Sequence, residues 1–444
     1  MPLEITSYKN IWKVSYPIIA GSIAQNIINV VDTAFLGRLG PIELGAAGNA
    51  IIFYFAFIVL GMGFGIGGEI IVGRRNGEKN FTEIGRVIDH CFYVLIPLSV
   101  VLFVVMNLFA YDIMALTIVN PEILSKGAEY IDYRMYGIFF AFANICFRTF
   151  FIGITKTSIL IWSTSVMAIV NILFDYLLIF GNHGFPELGV KGAAIASILA
   201  EMSALIYFLI YVFSKVDRKK YGLLYFKSIR NSIIKRLIKV SSPIMIQYFI
   251  AVSSWLIFFL IIEKMGTREL AISHIIRSIY MVLMVPLFGF ASATNALVSN
   301  IIGLGRKEEV IAFTRKVVFL TIIMTAFILP INLVIPESMI SLFTTDFSLV
   351  EESIPVLYII SISMFVFSIA EIVFSAVSGT GNTVISLTIE IATLVIYLLS
   401  AYYIAIMLKA PLHIVWCTEF IYFGIMGALS ILYLRFGNWR NKVI

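Results

Sequence analysis

The sequence has few charged residues for its length. Asp, Glu, Lys and Arg make up 13% of the 444 residues, whereas 60% are hydrophobic, and a soluble domain carries about twice that charged fraction. This composition excludes an ordinary water-soluble fold and predicts a helical protein that crosses a membrane many times. Cys91, Cys146 and Cys417 are an odd number and lie within apolar segments. They exclude both a disulfide framework and a CxxC metal site.

Motifs for nucleotide hydrolysis and metal catalysis are also missing from the sequence. It contains no Gly-Lys-Ser/Thr phosphate-binding loop, and its four histidines are far apart, without metal-ligand spacing. The glycine-rich stretch GMGFGIGG at 61–68 lies inside an apolar run, where close helix packing explains it better than a phosphate cradle. No nucleophile–base set is evident, so we expect no enzymatic activity and no bound cofactor.

Runs of about 20 apolar residues predict twelve membrane spans. They lie near residues 11–37, 45–73, 88–111, 128–152, 157–181, 190–213, 239–263, 269–299, 315–335, 353–377, 383–408 and 412–436. With the N-terminus inside, 23 of the 32 Lys and Arg residues fall in inside segments and six in outside segments, so both termini are expected in the cytoplasm. The net charge of +6 follows from this topology and indicates no nucleic-acid partner, although the basic linker at 214–239 could contact anionic lipid.

The second half of the sequence repeats the first at an offset of 226 residues. The offset places Pro17 on Pro243 and the segment 152–158 on 378–384. Each half holds six predicted spans, an even number, so the halves enter the membrane in the same orientation. We expect an N-terminal lobe at 1–213, a basic cytoplasmic linker at 214–238 and a C-terminal lobe at 239–444.

Carboxylates inside two predicted spans are the strongest functional signal. Asp32 lies about 20 residues beyond Trp12, and Asp175 lies 19 residues beyond Lys156, so both acids reach a similar depth in helices that run outward. Asn171 stands four residues before Asp175 on the same helical face. Because two neighbouring carboxylates do not both ionise cheaply in a medium of low dielectric constant, this set could share a proton or bind a small cation. Alternatively, each acid reaches the interface or is a satisfied structural residue.

Other charged residues within the apolar segments leave alternatives open. Arg148 could neutralise a nearby acid, and Glu371 could either attract a cationic substrate or pair with Arg277. Glu69 precedes a pair of arginines near the predicted cytoplasmic end of the second span, which indicates a solvated or gating pair. The sequence does not show what is faced by Glu201, Glu390 and Glu419.

Three segments resemble the MATE (multidrug and toxic compound extrusion) transporters. The first span, with Pro17 fifteen residues before Asp32 and GRLG after it, is similar to the first helix of that family. The segment NILFDYLLIFGNHGFPELGVKGAAIAS at 171–197 resembles the family's helix 5–6 signature, and GFASATNALVSNIIGLGRKEE at 289–309 resembles the end of helix 8. The resemblance covers nearly the whole chain.

The resemblance implies an all-α polytopic fold of twelve helices, in two pseudo-symmetric six-helix lobes that form a V. It also implies a secondary active antiporter of a bacterial or archaeal cytoplasmic membrane. Such a protein exports amphipathic, mostly cationic drugs or toxins in exchange for H⁺ or Na⁺ and needs no cofactor beyond the coupling ion. We expect the chain to act as a monomer within the lipid bilayer.

The resemblance also assigns site residues. The family's cation site carries over to Asp32, Asn171 and Asp175, which would bind Na⁺ in a sodium-coupled member, with the Ser197 hydroxyl as a further ligand. Pro17 carries over as the hinge of the first helix. The substrate cavity is predicted to include Gln25, Tyr136, Asn144, Arg148 and Glu371. The second half departs from the sodium-coupled NorM pattern, because Ala251 stands where that pattern has a glutamate, so we expect coupling through the first half.

Other functions fit the residues less well. A lipid-linked precursor flippase of the same superfamily needs a strongly basic cavity, and only Arg134, Arg148 and Arg277 lie within the predicted helices. A major-facilitator carrier usually has an Asp-Arg-x-Gly-Arg loop, which GRRNGEKN at 73–80 does not match. We keep the flippase as the alternative.

Overall fold

The structure is a computed structural model that describes residues 5–344 and 346–442, and every regular element within that part of the chain is a helix. The helices are α1 Tyr8–Leu39, α2 Pro41–Gly77, α3 Phe81–Ala115, α4 Pro121–Arg134, α5 Gly137–Gly153, α6 Ser158–Leu178, α7 Val190–Lys215, α8 Arg218–Tyr221, α9 Asn231–Glu263, α10 Thr267–Gly303, α11 Glu309–Val334, α12 Pro336–Ser341, α13 Phe347–Gly379, α14 Thr383–Tyr402, α15 Leu412–Trp416 and α16 Thr418–Phe436. A 3₁₀ turn at Asn182–Gly184 follows α6, and a π-helical turn at Tyr403–Met407 extends α14.

Eleven helical segments of the described chain are long and apolar enough to cross a bilayer. Helices α4 and α5 are separated by only two residues and are bent relative to each other by 53°. Counted together as one broken span, they give the twelfth. The prediction of an all-helical protein with twelve spans in two six-helix halves is therefore confirmed. The span predicted near 128–152 is bent, since α4 ends at Arg134 and α5 begins at Gly137.

Several helices begin where the sequence has proline or a side-chain cap. Pro41, Pro121 and Pro336 occupy first-turn positions, where a missing backbone N–H is not needed and the fixed φ suits the helix. The Asn120 side chain accepts hydrogen bonds from the backbone N–H groups of Glu122 and Ile123. These groups have no partner within the helix, so the cap fixes the start of α4.

The chain divides into two compact units. The N-unit is Ala20–Met245, and the C-unit consists of the residues up to Ile19 together with those from Ile246. Helices α1 and α9 therefore each belong to both units, and the division falls two residues after Pro17 in one and two residues after Pro243 in the other. Within the C-unit, 67% of the apolar stretch of α10 and 61% of that of α13 are buried, so these two helices form its centre.

Glycines of α2 allow close packing within the N-unit. A Cβ atom built on Gly63 would lie 2.8 Å from the Met245 Cα, and one on Gly67 would lie 2.6 Å from the Ser241 Cα. The Ser241 hydroxyl also donates a hydrogen bond to the Phe64 carbonyl at 3.0 Å. The stretch 61–68 thus lets the backbone of α9 approach that of α2, as small residues do between membrane helices.

We expect Gly67→Ala to destabilise the protein by about 1–3 kcal/mol, because the added methyl group overlaps backbone that cannot rotate away. The matched control is Gly48→Ala in the same helix, where a Cβ meets nothing within 4 Å; that change should be neutral or stabilise by up to ~1 kcal/mol. Unfolding in mixed detergent micelles measures both. Equal effects of the two changes would contradict the packing role of Gly67.

Candidate functional site

Helices α1 and α6 run side by side in the same direction within the N-unit. Gly21 of α1 lies against the backbone of Leu160 in α6, and Phe35 packs edge-on against Phe180, with ring centroids 5.6 Å apart. Between these two contacts, the Asp32 carboxyl faces the carboxyl of Asp175 and adjoins the amide of Asn171. Parallel packing therefore brings Asp32 next to Asn171 and Asp175, which lie 139 and 143 positions later in the sequence.

The three side chains are buried and leave most of their polar atoms without a hydrogen-bond partner in the part of the chain that the structure describes. Asp32 is 9% exposed, and Asn171 and Asp175 are fully buried. No group in the described chain donates a well-oriented hydrogen bond to Asp32 Oδ1 or to either oxygen of Asp175, and the Asn171 amide atoms are also without a partner. A carboxylate can only accept, so two facing carboxylates leave their oxygens unsatisfied. A shared proton or a small cation would satisfy both and remove their repulsion.

Polar side chains of α4 and α7 border this acid pair. The Tyr130 hydroxyl forms a hydrogen bond with Ser197 and is close enough to both aspartates to interact with their charges. One helical turn further on each helix, the Arg134 guanidinium binds the Glu201 carboxylate in a bidentate pair, with Nη1 3.0 Å from Oε2. Two pairs of residues with matching four-residue spacing thus connect α4 to α7. Ser197, the predicted hydroxyl ligand, reaches this region through Tyr130.

The ion pair between Arg134 and Glu201 is the centre of a small polar network. Arg134 also donates to the Tyr54 hydroxyl at 3.1 Å, and its guanidinium lies 4.1 Å from the centre of that ring. Asn144 donates to the Glu201 backbone carbonyl at 2.9 Å. Gly137 leaves the space for the pair, since a Cβ there would overlap the Arg134 side chain. The chain therefore bends at a point where the helix cannot carry a side chain.

The remaining predicted residues of the N-unit are placed apart from the acid pair. Gln25 is exposed on α1 two turns before Asp32. Tyr136, half exposed at the α4–α5 bend, packs against Phe103 with the rings tilted by 58° and their centroids 5.0 Å apart. Arg148 lies close to the buried carboxylate of Glu69. Glu69 is therefore the acid near Arg148 and is not a solvated group, because it is only 6% exposed.

Comparison with known proteins identifies the family. A family model described as MatE matches residues 17–177 and again 243–403. The chain belongs to the MATE family. Both bounds of the second match lie 226 residues after those of the first, so the internal repeat is confirmed and each half is one MATE repeat.

Relatives of this MATE protein match over nearly its whole length. It is 24% identical over 444 residues to the probable multidrug resistance protein NorM of Thermotoga maritima. The alignment covers 98% of this chain and 94% of that relative. It is 22% identical to the probable multidrug resistance protein YoeA of Bacillus subtilis, over 84% of this chain and 82% of that one. An outward-facing multidrug resistance MATE transporter of the MOP superfamily has the same fold, with a TM-score of 0.90 at 19% identity, covering 98% of this chain and 97% of the other.

The second repeat of this MATE protein carries a separate set of buried carboxylates. Within the C-unit, the Glu419 carboxylate accepts hydrogen bonds from Tyr280 at 3.1 Å and from Tyr397 at 2.9 Å. Glu390 accepts one from Tyr422 at 2.8 Å and lies near Glu371. Each of the two buried acids, Glu390 and Glu419, therefore has a tyrosine donor.

This arrangement contrasts with the aspartate pair of the N-unit, where three carboxylate oxygens have no hydrogen-bond partner among the described residues. Glu371, one of the predicted substrate-cavity residues, has the Ser375 hydroxyl at 3.5 Å as its one hydrogen-bond donor among the residues that the structure describes. The sequence alone does not show what Glu390, the neighbour of Glu371, faces. The sequence does not predict the tyrosines that donate to Glu390 and Glu419. Their one sequence signal is their position inside otherwise apolar helices.

Proposed function

We propose that the protein is a secondary active antiporter that exports amphipathic organic cations in exchange for H⁺ or Na⁺. The observation that carries the proposal is the pair of facing, buried carboxylates of Asp32 and Asp175. Within the described chain, Asp32 Oδ1 and both oxygens of Asp175 have no hydrogen-bond partner. A site of this kind binds a cation when it faces one solution and releases it when it faces the other. Such a binding difference between two states is what couples an ion gradient to a second solute.

The oxygen atoms at the pair suit either coupling ion. Two carboxylates and the Asn171 carbonyl are hard ligands of the kind that Na⁺ accepts, and Tyr130 and Ser197 supply neutral oxygens beside them. The same two carboxylates can hold one proton between them. In both cases Asp32 and Asp175 bind the ion directly, and Arg134 keeps a fixed positive charge close to Asp32.

The proposed substrate class follows from the charges within apolar helices. The N-unit presents the Asp32 pair and the C-unit presents Glu371 with Glu390. Carboxylates in a medium of low dielectric constant attract organic cations and repel anions, and aromatic rings add cation–π attraction. The multidrug resistance names of the relatives support export of drug-like compounds. They do not favour the alternative of a flippase for lipid-linked precursors.

The position of Pro17 supports its proposed role as a hinge. This residue removes a backbone hydrogen bond within α1, and the helix passes from the C-unit to the N-unit only two residues later. A bend at Pro17 would change the course of the helix that carries Asp32. Cation binding at Asp32 could therefore be linked to the conformation of α1.

Reconstituted transport tests the coupling ion. The purified protein in proteoliposomes should move ethidium faster when a pH gradient or a Na⁺ gradient is imposed on its own, while protein-free liposomes show only leakage. Acceleration by one gradient and not by the other would name the ion. Equal dye movement with and without both gradients would contradict antiport. An anionic dye tested in parallel should not be transported if the buried carboxylates select for cations.

A further inference from the structure

The linker between the two repeats is held against the start of α3 by a buried carboxylate. Asp89 of α3 accepts hydrogen bonds from the backbone N–H groups of Leu224 and Phe226, both at 2.9 Å. Leu224 and Phe226 have φ values of 57° and 45°, a region that residues with side chains adopt rarely. The two hydrogen bonds offset the cost of this backbone, so Asp89 fixes the path of the linker.

Two further side chains of α3 continue the attachment. His90 Nε2 accepts a hydrogen bond from the Arg230 backbone N–H at 2.8 Å, while Nδ1 lies 2.6 Å from the Arg86 carbonyl and donates to it. The Tyr93 hydroxyl donates to the Lys227 carbonyl at 3.1 Å. Gly85 lets the linker approach, because a Cβ there would lie 2.3 Å from the Tyr221 carbonyl oxygen. The linker segment 221–230 is therefore fixed to the N-unit by specific hydrogen bonds.

This attachment creates a small, open basic cleft between α3 and the linker, with a cavity volume of about 50 Å³. Its lining consists of Arg86, Asp89, His90, Lys227, Ser228 and Arg230. Both oxygens of Asp89 are already used by the linker backbone, and Glu83 pairs with Arg86 at 3.3 Å. Within the described chain, Lys227 and Arg230 form no ion pair, and both are exposed. Their charges are free for a ligand that carries negative charge.

Apolar side chains beside the cleft indicate where that ligand lies. Tyr225 is 43% exposed, Phe226 47% and Ile229 59%, and they alternate along the linker with Lys227 and Arg230. Aromatic and aliphatic side chains next to Lys and Arg are typical of a segment at the boundary between lipid headgroups and acyl chains. The positive-inside rule places this segment at the cytoplasmic leaflet, which carries the anionic lipids.

We propose that the cleft formed by Arg86, Lys227, Ser228 and Arg230 binds the phosphate headgroup of an anionic phospholipid from the cytoplasmic leaflet. The guanidinium of Arg230, the ammonium of Lys227 and the Ser228 hydroxyl offer donors to phosphate oxygens. The exposed aromatic and aliphatic side chains of the same segment contact the acyl region of that lipid. The linker precedes α9, so a bound lipid ties the start of the second repeat to the membrane surface.

Lipid retention on the full-length protein tests the proposal. Native mass spectrometry of the detergent-purified protein should show more bound dioleoylphosphatidylglycerol than dioleoylphosphatidylcholine. The double change Lys227→Gln/Arg230→Gln should lower phosphatidylglycerol binding by about 25-fold, because each cation near the surface is worth about fivefold in affinity. Both side chains are exposed, so the variant should fold, as gel filtration and thermal unfolding can verify.

The matched control removes the same charge from the same linker. Lys215→Gln/Lys219→Gln changes two exposed lysines that do not line the cleft and should keep phosphatidylglycerol binding within about twofold. Equal losses in the two double variants would overturn the site in favour of general charge attraction. Equal retention of the two lipids by the wild type would also overturn it. If excess inorganic phosphate stabilises the wild type and phosphatidylglycerol does not displace it, the ligand is a free phosphate and the lipid proposal fails.

Discussion

Gradient-driven efflux of an organic cation is expected to fall to the rate of leakage when Asp32 is replaced by asparagine. The substitution keeps the size of the side chain but removes its ability to bind and release a proton or to neutralise Na⁺. The carboxyl faces Asp175, and within the described chain no donor reaches Asp32 Oδ1 or either Asp175 oxygen in hydrogen-bonding geometry, so Asp32→Asn leaves Asp175 with a neutral neighbour. One cation site is lost, and with it the binding difference that couples the gradient to the dye.

The partner residue provides a check on this mechanism. Asp175→Asn should give the same loss, and the double variant should be no worse than either single one, because residues that act as a unit have non-additive effects. Asp112→Asn, at an exposed carboxylate near the end of α3, is the control and should transport like the wild type. Dye binding measured by fluorescence anisotropy separates lost coupling from lost folding. Wild-type transport by Asp32→Asn would contradict the proposed coupling role.

The acid pair could be predicted because the signal lies within single helices. A charge in an apolar span is conspicuous, the spacing of Asn171 and Asp175 defines one helical face, and the count from the cytoplasmic ends gives the depth of Asp32. The structure places these three residues together. The twelve spans and the repeat were predictable for the same reason, since each depends on local hydrophobicity or on a fixed offset.

The border of the site depends on tertiary contacts that the sequence does not encode locally. The bend between α4 and α5 contains no proline, and the space that Gly137 leaves is visible only once Arg134 and Glu201 occupy it. Tyr130 is one of 21 tyrosines, most of which suit a membrane interface equally well. The proximity of Glu69 in sequence to two arginines predicts a solvated or gating pair, but helix packing buries Glu69 near Arg148, so it is not solvated.

The C-unit carboxylates illustrate a second limit. Helices α13, α14 and α16 are apolar on most of their circumference, so periodicity does not indicate the direction of Glu371, Glu390 or Glu419. Only the packed structure shows that tyrosines from neighbouring helices donate to two of them. A buried acid that already has a donor is stabilised without a cation. This difference supports coupling through the N-unit, where neither oxygen of Asp175 has a donor within the described chain.

The ion pair between Arg134 and Glu201, beside the proposed coupling site, carries the largest expected effect on stability. Replacing Arg134 with glutamine should destabilise the protein by about 3–5 kcal/mol, because the Glu201 carboxylate is left buried without its counter-charge. The two side chains are only 11% and 15% exposed, so water does not replace the lost partner. The midpoint of unfolding in mixed micelles containing sodium dodecyl sulfate measures the change.

The double variant Arg134→Gln/Glu201→Gln distinguishes an unpaired charge from a lost packing contact. Removing both charges should recover most of the stability, since replacing a whole buried ion pair by neutral groups is often close to neutral. Gly137→Ala should resemble Arg134→Gln, because its methyl group would occupy the position of the guanidinium and separate the pair without changing any charge. If the double variant is as unstable as Arg134→Gln alone, the energy lies in the contacts of Arg134 with Tyr54 rather than in its charge. Recovery in the double variant would instead show that the buried charges between α4 and α7 have to neutralise each other. One of them, the Arg134 guanidinium, also acts on Asp32 through its positive charge.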